Sequence, residues 1–177
     1  MTRTRLFFTG PFRAEAREES LPEPRGDEIL IRARYSAISA GSESLFYTGT
    51  QPPGMGLDSS LPGYSGTTEY PVSYGYSLVG TVLDAGPDAD PGLAGREVFA
   101  FHPHATHALL GSADVRPLPE GLDPLDAVFF PNMETAVNLA LDGAPRIGER
   151  VAVLGLGVVG LLTTALLARF PLAALVG

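Results

Sequence analysis

A glycine-spaced run near the end of the sequence, VAVLGLGVVG at residues 151–160, has the residue types needed to hold a diphosphate. Gly155 permits a tight turn out of a strand, Gly157 lets a phosphate approach the backbone, and Gly160 lets the following helix pack closely on the strand. The helix is expected to begin near Val158 and to direct its free amides and the positive end of its dipole at the diphosphate. We therefore expect cofactor contacts from Gly155, Leu156, Gly157, Val158, Val159 and Gly160.

Two other interpretations of this segment stay open. A glycine-rich turn can form without binding a ligand. Residues 151–168 also carry no charge, which meets the length criterion for a membrane helix and hence for a C-terminal tail anchor. The glycines weaken a spanning helix, the run VAVL is typical of a strand buried in a parallel sheet, and Arg169 and Pro171 interrupt the apolar stretch. We therefore favour strand, turn, helix and strand, and expect no membrane partner.

The preceding sequence predicts a β-rich region that ends near residue 125. Glycine and proline supply 21 and 16 of the 177 residues, which favours many short strands joined by irregular turns. In EILIRARYSAIS, alternation puts Ile29 and Ile31 on one face of a strand and Arg32 on the other. The runs YSLVGTVLDAG and REVFAFHPHATHALLGS predict further strands, with Gly80 at a bulge or a close approach.

Helical patterns occur at two places in the chain. The run SESLFYTG predicts one or two helical turns ended by Gly49, and the glycine- and proline-rich segment from Gly49 to Gly75 predicts a substrate-facing flap, with a disordered loop as the alternative. In PLDAVFFPNMETAVNLALDGA the apolar spacing becomes helical, and Pro131 is expected to break it into two short helices. We therefore divide the chain into a β-rich domain, residues 1–125, and the start of an α/β domain, residues 126–177.

The composition excludes several classes of protein. With 12 basic and 20 acidic residues the chain has a formal charge of -8, which would repel a phosphate backbone, so we expect no nucleic-acid partner. The absence of cysteine removes disulfides, thiolate nucleophiles and cysteine-containing zinc sites. Because the N-terminal apolar patch spans only residues 6–8, we recognise no secretory signal and expect a cytoplasmic location.

The three histidines of the chain, His102, His104 and His107, fall within six residues, which raises the hypothesis of a metal site. On a strand, His102 and His104 would share one face and His107 would point to the other, and no carboxylate lies close in the sequence. We therefore expect ordinary strand and loop histidines, one of which could line a substrate pocket.

Five motifs in this order resemble the medium-chain dehydrogenase/reductase superfamily. They are GDEILIRARYSAIS, YGYSLVGTVLDAG, GREVFAF, LPEGLDPLDAVF and GERVAVLGLGVVG. The resemblance implies a mixed fold, in which a GroES-like β-barrel (a β-rich α+β domain) over residues 1–125 is the catalytic domain. The opening β-α-β unit of a Rossmann α/β domain, over residues 126–177, would bind the nucleotide. ISAGSE with YGYS is most similar to members that lack the catalytic zinc, including bacteriochlorophyllide-type dehydrogenases.

The resemblance implies hydride transfer between a nicotinamide cofactor, NAD or NADP, and a C–O or C=C bond of a small-molecule substrate. Zinc-dependent members use an early cysteine, a Gly-His-Glu motif, and a later cysteine or acid. The corresponding positions here are Ala40, the run Gly75, Tyr76 and Ser77, and the region near Pro131. None of them is a good zinc ligand, so we expect no zinc.

The resemblance also implies roles for four side chains. Ser42 matches a Ser or Thr whose hydroxyl can relay a proton to the substrate oxygen, Tyr76 can donate a hydrogen bond from its phenol, and Glu43 matches an acid beside the site. Thr135 matches a position near the nicotinamide. Ser42 can instead cap a short helix, Tyr76 can be a half-buried strand residue, and Thr135 can be an ordinary helix residue.

The chain is expected to carry only part of such an enzyme. The acidic residue that binds the ribose should follow the glycines by about twenty residues, beyond Gly177, so we expect this C-terminally truncated chain to be inactive alone. Family members are often dimers, which leaves a homodimer of the full-length protein open. The alternative functions are a non-enzymatic GroES-like binding or scaffold module and a tail-anchored membrane protein.

Overall fold

The structure is a computed structural model that describes all of residues 1–177 except 53, 55, 58–63, 65 and 66. The chain forms two compact units, Met1–Val128 and Phe129–Gly177. Several residues of the predicted flap, Gly49–Gly75, lie outside the described residues.

The first unit is built mainly from antiparallel strands. The elements are β1 (Thr2–Gly10), β2 (Arg13–Ser20), β3 (Glu28–Ser36), α1 (Ser42–Thr48), β4 (Leu78–Ala85), β5 (Glu97–Ala100), β6 (His107–Gly111), β7 (Val115–Pro117) and α2 (Pro124–Ala127). Strands β3 to β7 form one sheet in the order β6-β3-β4-β5-β7, and β1 and β2 form a separate hairpin.

The alternating pattern of β3 is present in the structure, with one difference. Ile29 and Ile31 are fully buried in the main apolar cluster, and Arg32 and Arg34 are exposed. Leu30 is also buried, so the first half of the strand is covered on both faces. Alternation alone therefore underestimates how much of this central strand is buried.

Gly80 in β4 marks a close approach of two backbones, as its position in the sequence predicts. A Cβ atom at this residue would lie 2.3 Å from the carbonyl oxygen of Arg32 in β3. The register between β3 and β4 shifts between Ala33, the partner of Gly80, and Tyr35. The absence of a side chain at Gly80 therefore lets the two central strands pair at this point.

The short helix α1 ends at the predicted residue. Gly49 adopts a left-handed conformation with φ of 76°, and its N–H bonds to the carbonyl of Leu45. Phe46 of α1 is buried against Phe8 of β1 and Val72. Phe46 is thus one of the side chains that anchor the helix to the hairpin.

The second unit contains the parallel pair β8 (Arg150–Ala152) and β9 (Ala174–Val176), with α4 (Val158–Leu167) between them and α3 (Phe130–Gly143) before them. Residues 151–168 do not form the continuous helix that a tail anchor requires. Among the described residues, none of the helices combines the length and the apolar character needed to span a bilayer.

The expectation that Pro131 separates two short helices is only partly correct. Helix α2 ends at Ala127, but α3 runs for 14 residues from Phe130. Pro131 lies in the first turn of α3, where a missing N–H removes no helical hydrogen bond. It therefore marks the start of a full-length helix.

Substituting Gly80→Ala should destabilise the first unit, because the added methyl group collides with the Arg32 carbonyl of the neighbouring strand. We expect a loss of at least about 2 kcal/mol in the free energy of unfolding, measured by urea denaturation. Gly10→Ala is the matched control, since a Cβ atom there has no neighbour within 4 Å, and it should change the free energy by less than about 0.5 kcal/mol. Equal stabilities of the two variants would contradict the close approach.

Candidate functional site

The carboxylate of Glu43 lies at the centre of a buried hydrogen-bond cluster. The residue is only 2% exposed. Its Oε2 atom lies 2.8 Å from Nε2 of His104, and its Oε1 atom accepts a hydrogen bond of 2.7 Å from the backbone N–H of Ser39. A carboxylate removed from water needs such partners. The loop between β3 and α1 is thus tied to the segment that precedes β6.

His104 is held on its other edge by Ser36. Its Nδ1 atom is hydrogen-bonded to the Ser36 hydroxyl, which also contacts the carbonyl of Ser77 at 3.1 Å. Gly75 lies against the imidazole ring at a φ of 122°, and a Cβ atom there would come within 2.7 Å of the ring. The carbonyl of Gly75 accepts a hydrogen bond from the buried Tyr64 hydroxyl, and burial raises the pKa of that phenol. The ring is therefore fixed in position on several sides.

Ser39 connects two of the side chains selected from the sequence. The phenol of Tyr76 donates a hydrogen bond of 2.7 Å to the Ser39 hydroxyl, and the backbone N–H of Ser42 lies 3.4 Å from the same oxygen. Tyr76 is half-buried and contacts Tyr74 edge to face. Tyr76, Ser42 and Glu43 thus converge on one serine that the sequence analysis did not select.

Ser42 does not cap helix α1, which was the alternative to a catalytic role for this residue. Gly41 occupies the N-cap of α1, without a side-chain cap, and Ser42 is the first helical residue. Ser39 and Glu43 fix this end of the helix reciprocally, in the manner of a capping box with a wider spacing. The Ser42 hydroxyl is therefore not the helix cap.

The histidines are strand and loop residues, as the sequence predicts, but the shared strand face considered for His102 and His104 does not form. His102 and His104 lie in the connection between β5 and β6 and not on a strand, so they share no strand face. His104 also has a carboxylate partner, Glu43, which is 61 residues away in the sequence. His107 is in β6 and contacts the adjacent Thr106 hydroxyl. The contact between His104 and Glu43 cannot be predicted from a local sequence pattern, because the two residues are 61 positions apart.

Of the positions that match zinc ligands of the family, Ala40, Tyr76 and Ser77 lie in the first unit, and the region near Pro131 lies in the second. Ala40 is exposed, Tyr76 bonds to Ser39, and the buried Ser77 hydroxyl donates to the carbonyl of Val128. No group of three or more His, Cys, Asp or Glu side chains is placed to hold a metal among the residues that the structure describes. Zinc independence stays a prediction.

In the second unit, the glycine run forms a tight strand-to-helix turn. Gly155 has a φ of 93°, which favours glycine, and Gly157 is the N-cap of α4. A Cβ atom at Gly160 would lie 1.9 Å from the carbonyl oxygen of Gly155, whereas one at Gly157 would have no neighbour within 4 Å. The close packing expected of Gly160 is therefore against the turn itself, and the space beside Gly157 is open.

The remaining residues of the predicted cofactor site are exposed or half-buried. Leu156 and Val158 are exposed and Val159 is half-buried. Thr135 is exposed on α3, where its hydroxyl donates to the carbonyl of Pro131 at 3.0 Å. Within the second unit this bond is what an ordinary helical threonine makes. Its predicted role near a nicotinamide stays a prediction.

His102 should make the stability of the first unit depend on pH. Burial, together with the smaller effect of the positive charges of Arg3 and Arg5, lowers the pKa of His102 to about 4. The unfolded chain binds a proton near pH 6.5 and the folded chain does not, so stability falls as the pH drops from 6.5 towards 4. The single shift corresponds to about 3 kcal/mol.

The measurement is the free energy of unfolding between pH 7.5 and 4 for the parent chain and for His102→Gln, chosen because glutamine does not titrate. We expect the parent to lose about 3 kcal/mol more than the variant over this range. If the free energies of unfolding of the parent and of His102→Gln fall in parallel with pH, the pKa of His102 is not lowered in the folded chain.

Comparisons with known proteins were made by sequence and by fold. No family model matches the chain. It is 34% identical over 88 residues to the 2-desacetyl-2-hydroxyethyl bacteriochlorophyllide A dehydrogenase of Cereibacter sphaeroides, covering 50% of this chain and 24% of that relative. It is 23% identical over 166 residues to the D-guloside 3-dehydrogenase of Escherichia coli, covering 85% of this chain and 47% of that relative. The chain thus spans less than half the length of these relatives.

The fold has many solved neighbours. One is an alcohol dehydrogenase from Escherichia coli CFT073 in complex with NADH, with a TM-score of 0.74 and 18% identity over 94% of this chain and 53% of the neighbour. The mixed fold expected from the sequence, a GroES-like domain followed by the start of a Rossmann domain, is confirmed. The sequence relatives are dehydrogenases, and together with the structural neighbours they confirm the resemblance to the medium-chain dehydrogenase/reductase superfamily recognised in the sequence.

Proposed function

We propose that this chain is part of an NAD(P)-dependent oxidoreductase of the zinc-free medium-chain type, which transfers a hydride to or from a C–O or C=C bond. The observation that carries the proposal is the turn between β8 and α4. In this turn Gly155 has a positive φ, Gly157 is the N-cap of α4 beside open space, and Gly160 packs against the carbonyl of Gly155. The dehydrogenase relatives and the NADH-bound neighbour support the same function.

The turn fits a dinucleotide diphosphate on structural grounds. Gly155 adopts a backbone conformation that other residues rarely adopt, and Gly160 allows α4 to begin against the turn. The first amides of α4, at Val158, Val159 and Gly160, have no acceptor within the helix and carry the positive end of its dipole. Because the space beside Gly157 is open, an anion can approach these amides.

We assign to the first unit the transfer of the proton that is released or taken up together with the hydride. A bound nicotinamide cofactor supplies the hydride acceptor or donor. Oxidation of an alcohol also releases the hydroxyl proton, and reduction of a carbonyl takes one up. The proposed proton-handling groups are the Tyr76 phenol, which donates to Ser39, and the Ser42 hydroxyl, whose backbone N–H lies 3.4 Å from the same Ser39 oxygen.

We assign Glu43 the role of a positioning residue. Both of its oxygens are occupied, one by His104 and one by the backbone of Ser39. It therefore holds the β3–α1 loop, on which Ser39 lies, against the start of α1, where Ser42 lies, and it need not exchange a proton with the substrate. This refines the catalytic role that the resemblance implies for it.

Zinc independence is proposed from the residues at the matched positions. Ala40 has no ligand atom, and Tyr76 and Ser77 are engaged in hydrogen bonds with Ser39 and Val128. Without a metal, polarisation of a substrate oxygen has to come from hydrogen-bond donors. We propose that the Tyr76 phenol acts through Ser39, whose hydroxyl accepts the phenol proton's hydrogen bond and can itself donate to the substrate oxygen.

The test is an NMR titration of the ¹⁵N-labelled chain with NADH and, separately, with NADPH. We expect the largest amide shifts at residues 155–160, because these amides would contact the diphosphate. Gly157→Leu should weaken binding at least about tenfold, since the added side chain fills the open space beside the turn without colliding with the fold.

Gly143→Leu is the matched control, because a Cβ atom at Gly143 also has no neighbour within 4 Å. This variant should bind both nucleotides like the parent chain. If neither nucleotide shifts residues 155–160, or if Gly157→Leu binds as tightly as the control, the turn is not a diphosphate site and the proposed function fails.

A further inference from the structure

We propose that a pocket between the β1–β2 hairpin and α1 binds a neutral, largely apolar small molecule that carries one oxygen acceptor, and that Ser39 donates the hydrogen bond to this oxygen. The pocket lies entirely within the first unit. The ligand is the substrate class of the enzyme only if the proposed function holds, but the binding site stands independently of it.

The walls of the pocket are apolar. Its volume is about 380 Å³, within the roughly 300–1,000 Å³ typical of sites for small molecules. Ile38 is 72% exposed and Tyr47 is 42% exposed, so two large side chains beside the pocket keep much of their surface in solvent. The apolar lining consists of Leu6, Phe8, Ala14, Ile38 and Tyr47, with Ala40.

The charge of the lining favours a neutral ligand. Glu43 is the charged residue that lines this pocket, and no Lys, Arg or His does. An anionic ligand would therefore find no positive side chain to pair with in the lining. A cation finds little to pair with, because Glu43 is only 2% exposed and both of its oxygens already have donors.

Ser39 supplies the polar contact. Its hydroxyl oxygen accepts from the Tyr76 phenol and the Ser42 amide, and its own proton has no acceptor among the residues that the structure describes. A hydroxyl that accepts hydrogen bonds becomes a stronger donor. The other serine of the pocket, Ser44, already donates to the carbonyl of Gly41 at 3.0 Å. Of the two serines that line the pocket, Ser39 is therefore the one whose hydroxyl can donate to an oxygen of the ligand.

The hairpin turn holds an aromatic side chain beside the pocket. Phe12 has a φ of 59°, an uncommon conformation for a bulky residue, and its ring packs edge to face on Tyr47 at 5.6 Å. The Phe12 N–H also bonds to the Tyr47 carbonyl. Such backbone strain persists where surrounding contacts impose it, and here these contacts fix the pocket wall formed by Tyr47.

The experiment uses the full 177-residue chain without nucleotide and compares two probes, acetophenone, which carries a carbonyl oxygen, and toluene, which does not. NMR titration should shift the amides of Ser39, Ser44 and Tyr47 with both probes. Ser39→Ala should weaken acetophenone binding about fivefold, the effect of losing one hydrogen bond, and leave toluene binding unchanged. Ser44→Ala is the matched control and should leave both affinities unchanged.

A second variant, Ala14→Phe, fills the pocket from the exposed strand β2 and should abolish the shifts from both probes. If no pocket amide shifts up to the solubility limit, or if Ala14→Phe binds both probes like the parent, there is no such site. If Ser39→Ala and Ser44→Ala have equal effects on acetophenone, the assignment of Ser39 fails. A chain that binds acetophenone in the pocket but does not bind nucleotide would retain this inference and refute the proposed function.

Discussion

Glu43 and His104 are both buried, and a buried carboxylate is stable only where hydrogen-bond donors replace the water it has lost. In this fold the donors are the imidazole of His104 and the backbone of Ser39. One contact therefore joins the β3–α1 loop to the connection between β5 and β6. Gly75 is part of the same constraint, because a larger residue would displace the imidazole ring. The rest of the cluster takes its geometry from this pair.

The chemistry proposed for the first unit depends on the loop that this pair holds. Ser39 is oriented by Glu43 through its backbone and by Tyr76 through its hydroxyl. The same serine borders the apolar pocket beside α1, so one residue connects the buried polar cluster with a space that can take a ligand. The glycine turn of the second unit works by backbone geometry alone, since its amides and the absence of side chains create the anion site.

Much of the fold could be predicted from local patterns, because those patterns report local physics. Alternation located β3, and the needs of tight turns and close approaches located Gly49, Gly80 and Gly155. The site was harder to predict. Ser42, Glu43 and Tyr76 were selected through a family resemblance, but Ser39 and His104, which connect them, were not. Their contacts are made across the fold, and neither alternation nor spacing along the chain reports a partner 61 residues away.

The most direct test of the Glu43–His104 constraint is a double-mutant cycle with Glu43→Leu and His104→Leu, read as the free energy of unfolding. Each single variant leaves one buried polar group without its partner, whereas the double variant removes both. We predict a coupling energy of at least about 2 kcal/mol, with the double variant far more stable than the sum of the single effects implies. Additive effects, within about 0.5 kcal/mol, would show that the two side chains do not stabilise each other and would contradict the account.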